Sequence, residues 1–548
     1  MSENSSAIDV PVLVIGAGPT GLMMAAELAR QGIRCRIIDK APRPSELSKA
    51  LAIQARTLEI FESIGIVNAF VAAGVKAHGG SIYANRKRIV HFAFDRLESR
   101  YNYALMLPQD ETETLLGKHL ESLGVKLERS TELNAIGQDT DSVTATLLHA
   151  DGGEERCRAE YLIGCDGAHS TVRHALNVGF IGAEYEENFA LADVKVDSSL
   201  PDDEIAGFVS DKGIVFFFPI THGRYRMIAD AAAPGPGDPT IGELQKIVDE
   251  QCHIEAHLHD PNWTAYFKIH RRQAAAYQVG RAFLAGDAAH IHSPAGGQGM
   301  NTGLQDSYNL AWKLALTLQG RVKPAVLDSY TAERHAVGRQ VLKTTDAMTR
   351  IMELRNPVAA TVRNRLASAL SSFEIFQSLM RRNMSEIGVN YRESPIVAEY
   401  HEGLFDTIAA FGGGPRAGDR APDADGLLMP DGSTAHLFEL LRGGNHKLFL
   451  FGAASSDTRH VANILSIARQ VDKKYDRNVL IYLVSTGGTV KIPGWDGGFI
   501  ADRDGALHRA YHAVAPCAYL IRPDGYVGYR SFPAKTKHLM EFLGRIFI

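Results

Sequence analysis

The chain has 548 residues, of which 45% are hydrophobic and 22% charged, which is ordinary for a soluble protein with two or three packed domains. The net charge is −5 and no long basic run is present, so nucleic acid and anionic membrane surfaces are not expected partners. Five scattered cysteines without a CxxC spacing argue against a disulfide framework or a cysteine zinc site.

The N-terminal segment and the hydropathy of the chain predict a cytoplasmic protein. MSENSSAIDV contains an acid but no basic region followed by a long apolar run, which is unlike a secretory signal. No segment approaches the roughly 18 uncharged apolar residues that a membrane-spanning helix needs. We therefore expect the protein in the cytoplasm and not in a membrane.

The first predicted elements form a βαβ unit. The apolar run VPVLVI (10–15) predicts a strand that is buried on both faces, because no polar residue interrupts it. LMMAAELARQ (22–31) predicts a helix, and RCRIID (34–39) predicts a second strand that ends in an acid.

The loop GAGPTG lies between the first strand and the helix, and Gly16, Gly18 and Gly21 fit the pattern G-x-G-x-x-G. The first glycine permits a tight turn, the second lets a pyrophosphate approach the backbone, and the third lets helix pack on strand. Asp39 ends the second strand, where a carboxylate can accept hydrogen bonds from ribose hydroxyls. Together these features predict a dinucleotide-binding site.

The next part of the chain alternates between helices and strands. SKALAIQARTLEIFESIG (48–65) predicts a helix, and DETETLLGKHLESLG (110–124) predicts an amphipathic one. Strand-like patterns occupy residues 81–95, 143–149 and 160–165.

Residues 181–280 differ in pattern from the preceding part, because strand-like segments such as IVFFFPI and RYRMIA follow one another. This stretch predicts a sheet-rich insertion before the apolar strand AFLAG (282–286). Residues 302–385 are predicted to be mostly helical.

A second glycine loop lies in FLAGDAAHIHSPAGGQGMN (283–301). A loop so far along the chain is expected if the bound dinucleotide is a flavin, because a flavin dinucleotide extends past the first βαβ unit. Asp287 could then bind its ribityl chain, and the turn from Pro294 to Asn301 could present backbone N–H groups to its ring. The alternative is that Asp287 and Asn301 only cap the next helix, and the residues alone do not decide between these two interpretations.

His290 and His292 resemble a pair of metal ligands. No carboxylate or cysteine lies at a ligand-like spacing from them, so we expect no metal site.

The C-terminal part predicts a separate, smaller α/β unit. FGGGPRAGDRAPDADG (411–426) predicts a linker. Beyond it lie the strands LFLFG (448–452) and VLIYLVS, the helix HVANILSIARQVDKKY, a hairpin that turns at Pro523-Asp524-Gly525, and a final helix.

Three motifs, GAGPTG, CDGAHSTVR (165–173) and FLAGDAAH (283–290), occur in the order seen in the flavin-dependent aromatic monooxygenases of the para-hydroxybenzoate hydroxylase fold. The sequence resembles that family over roughly residues 10–400. Within the family, the sequence looks closest to the branch that contains phenol hydroxylase, pentachlorophenol monooxygenase and the polyketide aromatic hydroxylases. This likeness rests on the segments SKALAIQARTLE, QDETETLL and SPAGGQGMNTGLQDSYNLAWKL and on the C-terminal extension.

The resemblance implies an α/β fold with four parts. An FAD-binding, doubly wound domain of the glutathione-reductase-like Rossmann type would span 8–180 and 281–410, with a helical extension. An inserted β-sheet domain at 181–280 would bind substrate. After the linker at 411–426, residues 427–548 would form a thioredoxin-like α/β domain. Ala453-Ala454-Ser455-Ser456 stand where a redox thioredoxin has CxxC, so we expect this domain to be structural or to form a homodimer.

The resemblance also assigns cofactor-binding residues in this chain. Lys49 stands where the family usually has an arginine, which keeps the charge but loses the planar fork. Asp166 would serve both FAD and the pyridine nucleotide. The full set comprises Gly16, Gly18, Pro19, Gly21, Asp39, Lys40, Lys49, Gln109, Asp166, Gly286, Asp287, Gly299, Met300 and Asn301.

The reaction implied by the resemblance uses NAD(P)H to reduce FAD and O₂ to form a flavin hydroperoxide, which hydroxylates an electron-rich aromatic ring. Pro294 would sit over the reactive face of the flavin. A phenol has a pKa near 10, so a base or a nearby cation must assist its ionisation. The candidates are Arg224, Tyr225, Arg226, His292 and Tyr391. An acid of the phenol hydroxylase branch is replaced here by Leu51.

Two other functions remain open at the level of sequence. The same scaffold in some relatives carries out Baeyer–Villiger oxygenation or epoxidation of polycyclic substrates. A flavin oxidase or a non-catalytic flavoprotein is an alternative of another class. Phe216 and Phe218 suggest an apolar pocket that fits a ring, which favours an aromatic substrate.

Overall fold

The computed structural model describes residues 7–45, 48, 50–84, 86–231, 237–292, 296–352, 374–402, 413–452, 458–487, 492 and 494–548. The helices of these residues are Pro19–Arg30, Ala55–Ser63, Val67–Ala73, Gln109–Ser122, Thr171–Ala175, Ile241–Gln251, Gly299–Leu318, Asp328–Met352, Glu374–Met384, Leu437–Leu440, Thr458–Tyr475, Ala506–Ala510 and Thr536–Ile546. None of them combines the length and the apolar character needed to cross a membrane.

The first sheet is mainly parallel and forms the centre of the nucleotide-binding part. Its strands in spatial order are Gln278–Val279, Ala282–Leu284, Glu154–Gly164, Val10–Ile15, Cys35–Asp39 and Leu127–Arg129. The antiparallel strands Thr131–Gln138 and Val143–His149 extend it from Glu154–Gly164. Strand Val10–Ile15 is almost wholly buried, as its apolar run predicts, because helices cover both faces of such a sheet.

The second sheet is mostly antiparallel. Its strands in spatial order are His290–Ile291, Ala256–Ala274, Phe180–Ser198, Arg224–Asp230, Ile214–Thr221, Glu204–Val209, Gly79–Ala84 and Lys87–Ala93. Strands Gly79–Ala84 and Lys87–Ala93 precede the predicted insertion at 181–280 by about a hundred residues. They join this sheet because Gly79–Ala84 pairs in parallel with Glu204–Val209. Such long-range pairing leaves no local pattern in a sequence.

A small third sheet corrects one prediction. The segment 48–65 is not a single helix, because Ala52–Ile53 is a strand that pairs with Ala104–Met106, which in turn pairs with Val75–Ala77. Only Ala55–Ser63 is helical. The apolar spacing of the segment fits a helix, but tertiary pairing overrides local propensity in its first part.

The C-terminal sheet has the spatial order Ala398–His401, Val527–Phe532, Ala518–Ile521, His446–Phe451, Val479–Ser485, Gly498–Ala501, Leu427–Leu428 and Thr434–Ala435. Strands His446–Phe451 and Val479–Ser485 are parallel and flank helix Thr458–Tyr475, and the predicted hairpin around Pro523 is present. Residues 453–456, where CxxC would stand, lie outside the described residues. The thioredoxin-like assignment stays a prediction.

The C-terminal region, residues 413–548, shares its hydrophobic core with the nucleotide-binding part. Trp312 and Leu316 from helix Gly299–Leu318 belong to the same buried cluster as Leu448 and Ile464. A continuous core of this kind means that the two parts are packed together and are not loosely tethered.

His436 is an ionic contact between the two parts. Its Nε2 lies 3.1 Å from Glu62 of helix Ala55–Ser63, and its Nδ1 lies 3.2 Å from Asp423. These side chains are of metal-ligating type, but the two ring nitrogens face different carboxylates, which is the geometry of a doubly donating imidazolium. Burial opposes the charge, but the hydrogen bonds to Asp423 and Glu62 outweigh it and raise the pKa of His436 to about 9. Glu439 and Arg100 also face this pair, at 3.7 Å from His436 and 3.9 Å from Asp423.

We predict that His436 stabilises the protein in a pH-dependent way. Because its folded pKa is raised, the stabilisation is complete below the unfolded pKa near 6.5 and is lost as pH rises through about 9. The difference between these two pKa values corresponds to about 3 kcal/mol at most. Urea unfolding from pH 6 to 10 on the parent and on His436→Gln should give curves that converge at high pH. Parallel curves across this range would contradict the prediction.

Candidate functional site

Four parallel strands end at one edge of the first sheet. These strands are Val10–Ile15, Cys35–Asp39, Glu154–Gly164 and Ala282–Leu284. The GAGPTG loop, the Asp39 turn, the CDGAHS loop and the second glycine loop therefore meet at this edge. The carboxyl edge of an open parallel sheet is where such folds bind their ligands.

The three glycines of GAGPTG have different surroundings. A Cβ atom on Gly16 would lie 2.4 Å from the carbonyl oxygen of Cys165, and one on Gly21 would lie 1.9 Å from that of Gly16. Both glycines are therefore required by the packing of the protein itself. A Cβ on Gly18 would meet nothing within 4 Å, so its backbone borders open space at the start of helix Pro19–Arg30. Such an open approach at a helix N-terminus fits a pyrophosphate.

The two glycine loops touch each other through Thr20. Its Oγ1 would lie 2.5 Å from a Cβ on Gly286 and 2.4 Å from one on Gly303. Ser307 Oγ also donates a hydrogen bond of 2.7 Å to the carbonyl oxygen of Thr20. Glycine at 286 and 303 thus lets helices Pro19–Arg30 and Gly299–Leu318 approach closely, and the loop that follows Ala282–Leu284 is held against the first one.

Helix Gly299–Leu318 begins with Gly299, Met300 and Asn301, whose N–H groups have no acceptor within the helix. The Asn301 side chain is fully engaged: its Oδ1 accepts from Gln54 N, and its Nδ2 donates to the carbonyl oxygens of Ala52 and Gly297, all at 2.8 Å. A hydrogen bond donated by Asn301 to a flavin would therefore have to come from its backbone N–H. The side chain fixes the strand Ala52–Ile53 beside the helix N-terminus.

Asp39, predicted to bind the adenosine ribose, already accepts hydrogen bonds from backbone N–H groups. Asp39 accepts from Ala17 N at 2.6 Å and from Ala41 N at 2.8 Å, so its carboxylate ties the first loop to the second strand. Each carboxylate oxygen can accept more than one hydrogen bond, so a role in ribose binding remains compatible. Lys40 is exposed, and Pro19 is the first residue of its helix.

Gln109 and Asp166 are the other polar candidates near this edge. Gln109 Oε1 accepts from Ala50 N at 3.2 Å. Lys49 lies outside the described residues. Asp166 accepts from Ser170 Oγ and Val172 N and so closes the start of the short helix Thr171–Ala175, and burial raises its pKa. Asp287 is exposed in the loop, and Pro294 also lies outside the described residues.

A buried charged network beneath the second loop was not foreseen from the sequence. Asp306 accepts from Gly286 N at 3.0 Å, from His290 Nε2 at 2.7 Å and from Arg334 Nε at 2.6 Å. Arg334 also donates to the carbonyl oxygen of Thr302 at 3.0 Å. His290 is thus engaged in a hydrogen bond to Asp306 that supports the loop. The sequence separation of these partners hides the network from local patterns.

Glu386 is a second residue that sequence reasoning missed. It is buried beside the first turn of helix Gly299–Leu318, where Thr302 and Gln305 donate hydrogen bonds to its carboxylate. Burial raises its pKa to about 8. It lines a cavity of about 550 Å³ together with Gln298 and Arg382.

The second sheet presents an aromatic face toward the second glycine loop. The rings of Phe216 and Phe218 are stacked with centroids 6.0 Å apart, and both are half-buried. They pack on a hydrophobic cluster that contains Leu51, Ala52, Phe92, Phe94 and Met106, with Met380 and Met384 from helix Glu374–Met384. Because Ala52 is bonded to Asn301, this apolar cluster borders the start of helix Gly299–Leu318.

Arg226 lies on the same face, directly opposite Phe218. It is buried and makes two hydrogen bonds of 2.7 Å to Asp193, and its Nη1 donates to the carbonyl oxygen of Ala50 at 3.1 Å. Arg224 instead pairs with the exposed Asp260 at 2.7 Å. Of the two arginines, only Arg226 reaches the segment that holds the flavin candidates.

The two tyrosines proposed as bases have different surroundings. Tyr225 packs beneath helix Ile241–Gln251 on the other face of the sheet, where its hydroxyl donates to Leu200 O and to Asp202. Tyr391 is buried against Tyr526, and its hydroxyl accepts from Arg334 at 2.8 Å. Burial raises the pKa of both tyrosines. His292 stays beside the loop, with its ring 3.6 Å from a Cβ built on Gly299.

These features define a flavoprotein oxidoreductase. A glycine loop and helix suited to a pyrophosphate are joined to a second helix N-terminus, and an aromatic-lined face lies beside that helix. The sequence matches the family described as "FAD binding domain" over residues 9–345. The chain belongs to this family and is a flavin-dependent aromatic monooxygenase with FAD as its cofactor.

Relatives with known names agree with this membership. Pentachlorophenol 4-monooxygenase of Sphingobium chlorophenolicum is 32% identical, over 95% of this chain and 94% of its own. 6-Methylpretetramide 4-monooxygenase of Streptomyces rimosus is 33% identical, over 96% and 92%. The solved structure of OxyS anhydrotetracycline hydroxylase from Streptomyces rimosus superposes with a TM-score of 0.76 at 30% identity, covering 98% of this chain and 99% of that one.

Gly18 and Gly21 provide a matched test of the FAD site. Gly18→Ala adds a methyl group to open space, so we expect stability within about 0.5 kcal/mol of the parent and FAD binding weakened at least tenfold. Gly21→Ala would clash with the Gly16 carbonyl and should instead destabilise the protein itself. Thermal unfolding without FAD and fluorescence titration with FAD measure the two effects. Undiminished FAD affinity in Gly18→Ala would contradict the assignment of this loop.

Proposed function

We propose that the protein hydroxylates a phenolic or polycyclic aromatic substrate with NAD(P)H and O₂. The observation that carries this proposal is the single hydrophobic cluster that joins Phe216 and Phe218 to Ala52, beside the helix N-terminus suited to a flavin ring. A flat apolar substrate bound there would lie between the second sheet and the flavin loops. The names of the relatives, which include a phenol and a tetracyclic compound, support the substrate class.

The residues proposed to hold FAD form two groups. Gly16, Gly18, Pro19, Gly21 and Asp39 would bind the pyrophosphate and adenosine end. The second group, Gly286, Asp287, Gly299, Met300 and Asn301 with Gln109, would bind the ribityl chain and ring. Bound FAD supplies reduction by NAD(P)H and activation of O₂, and the protein must orient the substrate, exclude water and move a proton.

Two residues are proposed to serve the substrate. His292, beside Gly299, would accept the phenolic proton. Arg226 would hold the segment around Ala50 in place, because its Nη1 donates a hydrogen bond to the Ala50 carbonyl oxygen. Its charge is paired with Asp193, so we propose a positioning role for Arg226. The apolar cluster would exclude water from the reacting ring.

Baeyer–Villiger oxygenation and epoxidation on this scaffold are not favoured, since the similar solved structure is named a hydroxylase. We also propose that the protein forms a homodimer and is located in the cytoplasm.

A substrate screen tests the function directly. Purified holoenzyme with NADPH or NADH should consume reductant faster when a suitable phenol or polycyclic phenol is added. Mass spectrometry and NMR should show a product with one added oxygen on a ring carbon. If a broad panel yields only hydrogen peroxide, with no substrate that stimulates reductant use, the proposed function fails.

Arg226 and Arg224 lie on one strand and allow a matched comparison. Arg226→Lys keeps a charge beside Asp193 but loses the bidentate geometry and the bond to Ala50, so we expect a several-fold rise in peroxide per NAD(P)H oxidised. Arg224→Lys changes contacts of Arg224 with the exposed Asp260 and the Asp193 carbonyl oxygen but none with Ala50, and coupling should stay near the parent. Equal coupling in the two variants would remove Arg226 from the site.

A further inference from the structure

The C-terminal region inserts a hairpin turn into the nucleotide-binding part. This docked turn consists of Arg522, Pro523, Asp524 and Gly525. Arg56 donates to the carbonyl oxygen of Asp524 at 2.7 Å, Trp312 Nε1 donates to its carboxylate at 3.0 Å, and Tyr308 donates to the carbonyl oxygen of Pro523 at 3.2 Å.

The charges of the docked turn are fully buried and paired. Arg522 donates to both carboxylate oxygens of Glu333 at 2.6 and 2.9 Å and also bonds Asp524. Lys313 donates to Glu333 at 2.8 Å. Arg522, Asp524, Glu333 and Lys313 are each at most 2% exposed. Removing one partner of such a buried network leaves an uncompensated charge, so the turn is docked as a unit.

Three partners of the docked turn lie on elements next to the second glycine loop. Tyr308 and Trp312 lie on helix Gly299–Leu318, whose first turn faces the proposed flavin ring. Arg56 lies in helix Ala55–Ser63, two residues after Gln54, which binds Asn301. Docking of the turn therefore fixes both elements that frame the ring.

A second route runs through Tyr391. The Arg522 guanidinium lies 5.3 Å from the centre of the Tyr391 ring, whose hydroxyl accepts from Arg334. Arg334 in turn holds the Thr302 carbonyl and, through Asp306, the N–H of Gly286. These contacts connect the C-terminal region to Gly286 of the second glycine loop and to Thr302 in the first turn of helix Gly299–Leu318.

We propose that the docked turn is a positioning element for FAD: the C-terminal region, without touching the cofactor, sets the geometry of the flavin loops and so the affinity for FAD. This rests on the proposed location of the FAD site. By reciprocity, bound FAD strengthens the docking of the turn by the same factor.

The test compares two Asp→Asn changes in the C-terminal region. In Asp524→Asn the amide presents a donor to Arg522 and weakens the docked turn. Asp502→Asn is the matched control, because Asp502 is equally buried but bonds His508 within the same region. FAD dissociation constants are measured by fluorescence titration of the apoproteins, whose folding is checked by circular dichroism. We expect a rise of about tenfold in Asp524→Asn and less than about twofold in Asp502→Asn.

A milder variant keeps the test decisive if Asp524→Asn does not fold. Tyr308→Phe removes only the hydroxyl that bonds Pro523, and it should raise the FAD dissociation constant about threefold. In the parent, saturating FAD should slow hydrogen exchange across residues 518–529. Equal affinities in Tyr308→Phe and the control, with no exchange protection by FAD, would overturn the proposal. None of these readouts depends on hydroxylation, so failure of the substrate assignment is a separate result.

Discussion

Helix Gly299–Leu318 is buried from Asn301 to Leu316, and this burial is the constraint on which the rest of the structure depends. A helix surrounded by protein must find an internal partner for every polar side chain. Asn301 binds the small third sheet, Asp306 the second glycine loop, and Trp312 the C-terminal region. The polar residues of one helix therefore join the parts of the chain that would otherwise pack by apolar contact alone.

Much of the nucleotide-binding part could be predicted from the sequence, because its signals are local. The apolar run before Gly16, the glycine spacing and the acid at Asp39 each follow from the geometry of one turn and its two neighbours. The hairpin at Pro523 is likewise a property of a few adjacent residues. The family resemblance then supplied the identity of the dinucleotide, which the glycine loops alone left open.

The remainder depends on contacts between distant residues. Asp306, His290 and Arg334 meet only after the strands and helices have packed, and Glu386 gives no motif at all. Alternation placed Tyr225 and Arg226 on opposite faces of one strand, but only the pairing of Arg226 with Phe218 shows which face meets the flavin loops. The short strand Ala52–Ile53 was missed for the same reason, since its partner comes from residues 104–106.

The order in which these parts occur along the chain has a consequence for biosynthesis. The first glycine loop leaves the ribosome early, but Gly286 and Gly303, which complete it, follow only after more than half of the chain has been made. Asp524, the partner of Trp312, is made 212 residues after Trp312 itself. A nascent chain thus exposes an incomplete first sheet for most of its synthesis. The geometry proposed for FAD is therefore complete only after Asp524 has been made, so capture of the cofactor in that geometry would follow the synthesis of the C-terminal region.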